Sequence, residues 1–179
     1  MARQWMADRL RGEHSVEWLR AHGLRVGSGV FIGRSAVLDE GFLWLISIGE
    51  NSSLAGRVVV LAHDASMKRE TGYTIVGRVE IGRQVFVGSD TVILPGVTIG
   101  DNCIIGANST VRHDIPAGSI AVGSPAQVVG RTADHVAKHR ELVKTRPVWG
   151  REFTVEGSIT GDRMQTMWED LADGYGYVP

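Results

Sequence analysis

From Ile75 onward an aliphatic residue recurs every six positions, at Ile75, Ile81, Val87, Ile93, Ile99, Ile105 and Val111. The fifth position of each hexad is also apolar or small, reading Val79, Val85, Thr91, Val97, Cys103, Ser109 and Ile115. Glycine often follows the aliphatic residue, as at Gly82, Gly88, Gly100 and Gly106. A period of six fits neither a helix, at 3.6, nor a lone amphipathic strand, at 2. It predicts short strands joined by turns in a coil that stacks on itself, with two columns of each hexad pointing inward.

The same phase runs through Val26, Ile32 and Leu38, slips by four residues, and resumes at Ile48, Leu54 and Val60. The slip predicts a corner insertion in DEGFLWLI around Phe42 and Trp44. Those aromatics either line a pocket or pack on the insertion's own base or a neighbouring subunit. Between Val60 and Ile75 the spacing is again too long, so residues 61–74 (LAHDASMKRETGYT) are expected to leave the wall as a loop. An interruption of this kind in a regular solenoid usually serves function. The loop holds His63, the only histidine between Gly23 and Arg112.

Outside the repeat the periodicity changes. Residues 2–23 predict a helix over the first coil, with Ser15 as a possible N-cap, apolar surface from Val16, Trp18 and Leu19, and a stop at Gly23. Residues 132–146 predict a second helix, ended by Pro147. Beyond it, FTVEGSIT is expected to pair as strands around Glu156-Gly157, and DRMQTMWEDLAD to form a short amphipathic helix. The resulting organisation is a helical cap over 1–24, a coiled domain over 25–131, and a helix with an acidic tail over 132–179.

Composition adds exclusions. A net charge of −1 argues against general binding to nucleic acid or to a membrane surface. No stretch approaches the length of a membrane span, and MARQWMADRLRGEH lacks the apolar core of a signal peptide, so a cytoplasmic location is expected. The 23 glycines suit tight corners. The single cysteine, Cys103, falls on the inward fifth column, where a buried, inert thiol is expected rather than a nucleophile.

The repeat, with LPGVTIGDNCIIGANSTV (94–111) and IPAGSIAVGSPAQVVGR (115–131), resembles the hexapeptide-repeat acyltransferases, the group containing maltose and galactoside O-acetyltransferases. The resemblance covers roughly residues 20–131. It implies an all-β fold, a left-handed parallel β-helix of three hexads per triangular coil, here with a short N-terminal helix and a C-terminal helical extension. That winding is otherwise rare between parallel strands. It further implies acetyl-CoA as acyl donor, a sugar or glycoconjugate hydroxyl as acceptor, and a homotrimer with active sites between adjacent prisms.

Residue by residue, the resemblance makes His63 the general base, a task that an imidazole suits at neutral pH. Asp64 follows it, but neighbouring side chains of an extended segment point opposite ways, so a backbone carbonyl is the preferred orienting group. The Gly88-Ser89 step matches the family's oxyanion donor. Ser89 and Ala107 fall along the pantetheine arm, Arg112 and Arg131 toward the nucleotide end, and Ser124 and Pro125 in the bordering turn. Phe86 stands where the family commonly has tryptophan, and Arg112-His113 replaces the usual Thr-Lys pair. N-acetylation of an amino sugar or xenobiotic, and a non-catalytic β-helix scaffold, are the alternatives. No metal is expected, because a γ-type carbonic anhydrase on this fold needs three histidines and the coil region offers only His63.

Overall fold

The structure is a computed structural model, and residues 14–179 are described. The described residues divide into two compact units, one ending at Thr132 and the other Ala133–Pro179. In the first, two- to four-residue strands stack into three parallel walls. The first wall is built from Arg25–Val26, Ile46–Ile48, Val79–Ile81 and Thr98–Ile99. The second holds Phe31–Ile32, Ser53–Leu54, Phe86–Val87, Ile104–Ile105 and Ser119–Val122. The third holds Val37–Leu38, Val59–Val60, Val92–Ile93 and Thr110–Val111. The chain visits the walls in that order, coil after coil, as a left-handed β-helix. At the end of the second wall, Gln127–Arg131 turns back antiparallel on Ser119–Val122.

The hexad follows from the geometry of a corner. Three residues past the aliphatic column the backbone turns through the left-handed region, at Asn51, Arg57, Gln84, Asp90, Asn102 and Asn108, with φ between 55° and 62°. Asn and Asp enter that region most easily among residues with a side chain, which accounts for four of the six. Gly88, directly after its aliphatic residue, is required for a different reason: a Cβ there would collide with the backbone of Ala107 in the next coil. Inside the prism, Val87, Ile93, Ile99, Ile105 and Val111 are fully buried, and so are Val79, Thr91 and Cys103 of the fifth column. The polar members of that column are satisfied. The Thr91 hydroxyl donates to the Gly106 carbonyl (3.1 Å), and that of Ser109 to the same oxygen (2.7 Å). Burial leaves the Cys103 thiol above its ordinary pKa, as an inert side chain would be.

One member of the expected ladder does not belong to it. Ile75 is 52% exposed and pairs antiparallel with Asp64, in a hairpin of His63–Asp64 with Ile75–Val76. The wall resumes only at Val79. A strand of the hairpin also favours β-branched residues, so Ile75 falls in phase with the hexads by coincidence. The N-terminal helix spans Val16–Ala21; the Ser15 hydroxyl accepts from the Trp18 N–H at 3.2 Å, and Gly23, at φ +104°, ends the segment. The remainder of the helix expected over 2–23 lies outside the described residues.

In the second unit, the helix beginning at Thr132 runs to Leu142 and a further helix spans Gly161–Asp170. Trp149 is buried, and Val148 bridges to Tyr177. FTVEGSIT does not form the expected strand pair. Arg151–Phe153 is a single 3₁₀ turn, the Thr154 hydroxyl donates back to the Arg151 carbonyl (2.7 Å), and the Gly157 N–H donates to the Thr154 carbonyl (3.1 Å). Local side-chain bonding of this kind competes with strand pairing. Among the described residues no helix is long and apolar enough to cross a membrane.

Candidate active site

The corner from the third wall to the first is the one that breaks the repeat, and it does so in two successive coils. In one, the 3₁₀ segment Glu40–Leu45 follows Leu38, with Asp39 at its N-cap, as a short excursion over residues 39–45. In the next, the hairpin carrying His63 follows Val60. Because Leu38 and Val60 are partners in register, the residues that follow them occupy the same corner. Asp39 and His63 meet there. The Asp39 carboxylate is buried, and its Oδ2 accepts the Ala62 N–H at 2.9 Å and contacts His63 Nδ1 at 2.5 Å.

That pairing settles how the ring is held. Asp39 is anchored through its own N–H to the Val60 carbonyl (3.0 Å), so the carboxylate has little freedom. A carboxylate accepts the Nδ1 proton and leaves Nε2 with its lone pair, the form a base needs. The imidazole remains 38% exposed, with the ring of Phe42 against it at 5.2 Å between centroids. The orienting group is thus neither a backbone carbonyl nor Asp64. Asp64 instead accepts the Ser66 N–H (2.8 Å), and that backbone bond holds its carboxyl below the ordinary carboxylate range. Asp39 was missed by sequence reasoning. The signal available was its position as the first residue of the phase slip, one coil below the first residues of the loop.

The residues assigned to the coenzyme fall mainly on another corner. Gly88, Ser89 and Ala107 lie where the second wall turns into the third, and Ser124-Pro125, joined by a cis peptide, caps the same corner. The Gly88 N–H is consumed by the Ile105 carbonyl at 2.8 Å in the coil ladder. Among the hydrogen bonds of the described residues, the Ser89 and Ala107 N–H groups donate to none, so both amides are open to a ligand at this corner. Phe86 is 49% exposed on the outer face of the second wall.

Arg112, Ser124 and Pro125 do come together, in a pocket of about 460 Å³ also lined by Asp64, Ile75, Leu94, Pro95 and Thr110. The Ser124 hydroxyl donates to the Thr110 oxygen at 2.8 Å, fixing one wall of it. The pocket holds both signs of charge, the guanidinium from the coil and the Asp64 carboxylate from the hairpin. Arg131 is elsewhere. It pairs with Ser119, at the end of the last strand pair remote from Ser124. Within one chain, His63 is likewise separated from Ser89 and Ala107 by the width of the third wall.

Comparison with known proteins completes the picture. Residues 78–113 match the family model described as bacterial transferase hexapeptide (six repeats). The chain is 32% identical over 143 residues to a galactoside O-acetyltransferase of Escherichia coli K12, covering 74% of this chain and 64% of the relative. It spans less than two thirds of the length of the curated relatives it matches first. Among solved structures, a maltose O-acetyltransferase from Clostridium difficile 630 superposes with a TM-score of 0.54 at 30% identity, over 64% of this chain and 73% of that one. A galactoside acetyltransferase in complex with coenzyme A gives 0.53 at 27% identity, over 68% and 71%. With its interrupted prism, its histidine at the break and this similarity over most of the coil, the chain belongs to the hexapeptide-repeat acetyltransferase family.

Proposed function

We propose that this protein transfers an acetyl group from acetyl-CoA to a hydroxyl of a saccharide, with His63 as general base. The observation that carries this reading is the Asp39–His63 pair, a half-exposed imidazole oriented by a buried carboxylate at the interruption of the prism. His63 Nε2 takes the hydroxyl proton as the oxygen attacks the thioester carbonyl, and Asp39 stabilises the imidazolium that forms. The Ser89 N–H is the donor to the oxyanion, and collapse of the tetrahedral intermediate expels the coenzyme thiolate, which recovers the proton. Relatives named for galactoside and maltose O-acetylation support a sugar acceptor.

The separation of His63 from Ser89 and Ala107 within a chain supports a homotrimer in which the histidine of one copy faces the groove of the next. The outer faces of the walls agree. The first presents Arg25, Ser47, Glu80 and Thr98 outward. The second presents Phe31, Ser53, Phe86, Ile104 and Ile120, and the third Val37, Val59, Val92 and Thr110. Phe31 and Val37 are 61% and 53% exposed in the single chain. Two mainly apolar faces and one polar face fit a closed ring of prisms.

The test is an acceptor panel of saccharides, amino sugars and serine, following release of thiol from acetyl-CoA, with light scattering on the same sample. Saccharide-dependent thiol release by a trimer is expected. Release with amines alone would replace the acceptor class, and a fully active monomer would remove the shared site.

A further inference from the structure

The 39–45 excursion contributes more than Asp39. Its backbone departs from helical geometry at Phe42 (φ −143°, ψ 35°), which turns that ring to the corner, against the imidazole of His63. Trp44 then lies next to Phe42, with ring centroids 5.6 Å apart and planes inclined by 55°. Phe42 is half-buried against the core, whereas Trp44 is 54% exposed. The Trp44 backbone is seated on Gly23, where a Cβ would meet the Trp44 Cβ at 2.9 Å, so a close approach from the N-terminal helix segment fixes the base of the indole. Three rings therefore run outward from the base in the order His63, Phe42, Trp44. The charged groups nearest in sequence are Asp39, committed to His63, and Glu40, whose carboxylate is 59% exposed and 3.3 Å from His14.

We infer that Phe42 and Trp44 form an acceptor subsite for linked pyranose rings. It rests on the acetyl-transfer reading above and names the acceptor more closely. A ligand for this surface must carry a hydroxyl for His63 Nε2 and a flat apolar face for the aromatic rings. A pyranose has both, since its ring C–H groups form an apolar patch bordered by hydroxyls. Aromatic side chains gain most from such a partly desolvated face, and an exposed indole is the largest available here. Because Phe42 stands between Trp44 and His63, the ring presenting its hydroxyl to the base lies over Phe42. The adjoining ring of the same acceptor lies on Trp44. The preferred acceptor is thus at least a disaccharide.

The experiment compares the wild type with Trp44→Ala and Trp44→Phe, using glucose and maltose as acceptors. Aromatic contacts of this kind are worth roughly two- to tenfold in binding. Trp44→Ala should raise the KM for maltose by that factor, with a smaller effect on glucose, an unchanged kcat and an unchanged KM for acetyl-CoA. Trp44→Phe, which keeps a ring, should recover most of the loss. Equal effects on the two sugars, or none, would overturn the subsite.

A second measurement needs no variant. Maltose should slow oxidation of Trp44 by N-bromosuccinimide in the wild type, located by peptide mass, and leave Trp168, 79% exposed, reacting as before. Oxidation of Trp44 at the same rate under saturating maltose would also overturn it. If the wild type acetylates serine or amines but no sugar, the functional reading falls and this subsite falls with it. If sugars are acetylated and Trp44 proves indifferent, the subsite falls alone.

Discussion

The two kinds of corner in this prism show what regularity costs and what its interruption releases. Where the second wall turns into the third, every coil repeats one solution. A glycine or small residue lets the next coil approach, a left-handed residue turns the chain, and most backbone groups are consumed by the neighbouring coils. Such a corner can offer a ligand only the few amides left over, Ser89 and Ala107 among them. The corner from the third wall to the first leaves that pattern twice. It gains a buried carboxylate, an imidazole and two aromatic rings. The repeat thus supplies rigid, nearly featureless donors, and the breaks supply side-chain chemistry.

The largest expected effect breaks the regular side. Ile93 is fully buried in the aliphatic ladder, between Val60 and Val111 in register. Burial of such a side chain contributes about 1.5–3 kcal/mol, and a buried unpaired carboxylate adds a larger penalty. Ile93→Asp should abolish cooperative thermal unfolding, followed by circular dichroism. A soluble variant of wild-type stability would mean that the column does not carry the core.

Substitutions at the interrupted corner should separate activity from folding. His63→Ala should keep the fold, the assembly and coenzyme binding while turnover falls by about 10²–10⁴-fold, the usual worth of a general base. His63→Asn should be nearly as impaired. Asp39→Asn should differ from both. Both contacts fall on Oδ2, and a neutral amide oxygen there replaces charge-assisted hydrogen bonds with weaker ones and leaves the imidazolium unbalanced, so stability and turnover should fall together. Paired measurements of melting temperature and kcat sharpen the contrast. An Asp39→Asn enzyme with full turnover would remove the carboxylate from the mechanism.

How much of this was legible in the sequence differs between the same two regions. Walls repeat, so the phase of Val87, Ile93, Ile99 and Ile105 revealed their burial, and the polar Thr91 and Ser109 on the inner column needed only backbone carbonyls to be satisfied. The break at His63 was visible as a spacing fault. Its partner was not, because Asp39 precedes it by a whole coil and becomes a neighbour only through the register of Leu38 with Val60. Ile75 misled because a hairpin and a wall favour the same residue type. The place of Arg131 was not legible either: the last strand runs backwards, and this sets the residue apart from Ser124.

That displacement yields a smaller effect. Arg112 lines the pocket with Ser124 and Pro125, so Arg112→Ala should raise the KM for acetyl-CoA, by roughly tenfold for a lost charged hydrogen bond, with kcat little changed. Arg131→Ala should raise it less. Initial rates against acetyl-CoA concentration decide the order. If Arg131→Ala has the greater effect, the nucleotide end follows the last strand pair and not the pocket.

The smallest effect returns to the regular corners, where exposed ion pairs tie one coil to the next. Arg57 donates to both oxygens of Asp90, at 2.7 and 2.6 Å, and Arg83 does the same work for Asp101, its nearest contact 2.7 Å. Those guanidinium hydrogen bonds hold both carboxyls below the ordinary aspartate range. A carboxyl with a lowered folded-state pKa stabilises the fold above its unfolded pKa, and the contribution disappears as the pH falls through the folded value. Asp90→Asn should therefore lower the melting temperature slightly at neutral pH, and the difference from wild type should close as the pH drops below the ordinary carboxylate range. Both partners are solvent-exposed, so the difference should also shrink at about 1 M salt, where charges are screened within ~3 Å. Because Asn adopts the left-handed backbone at this position, φ +62°, as readily as Asp, a deficit that persisted in acid and in high salt would show that the charge pair is not its cause.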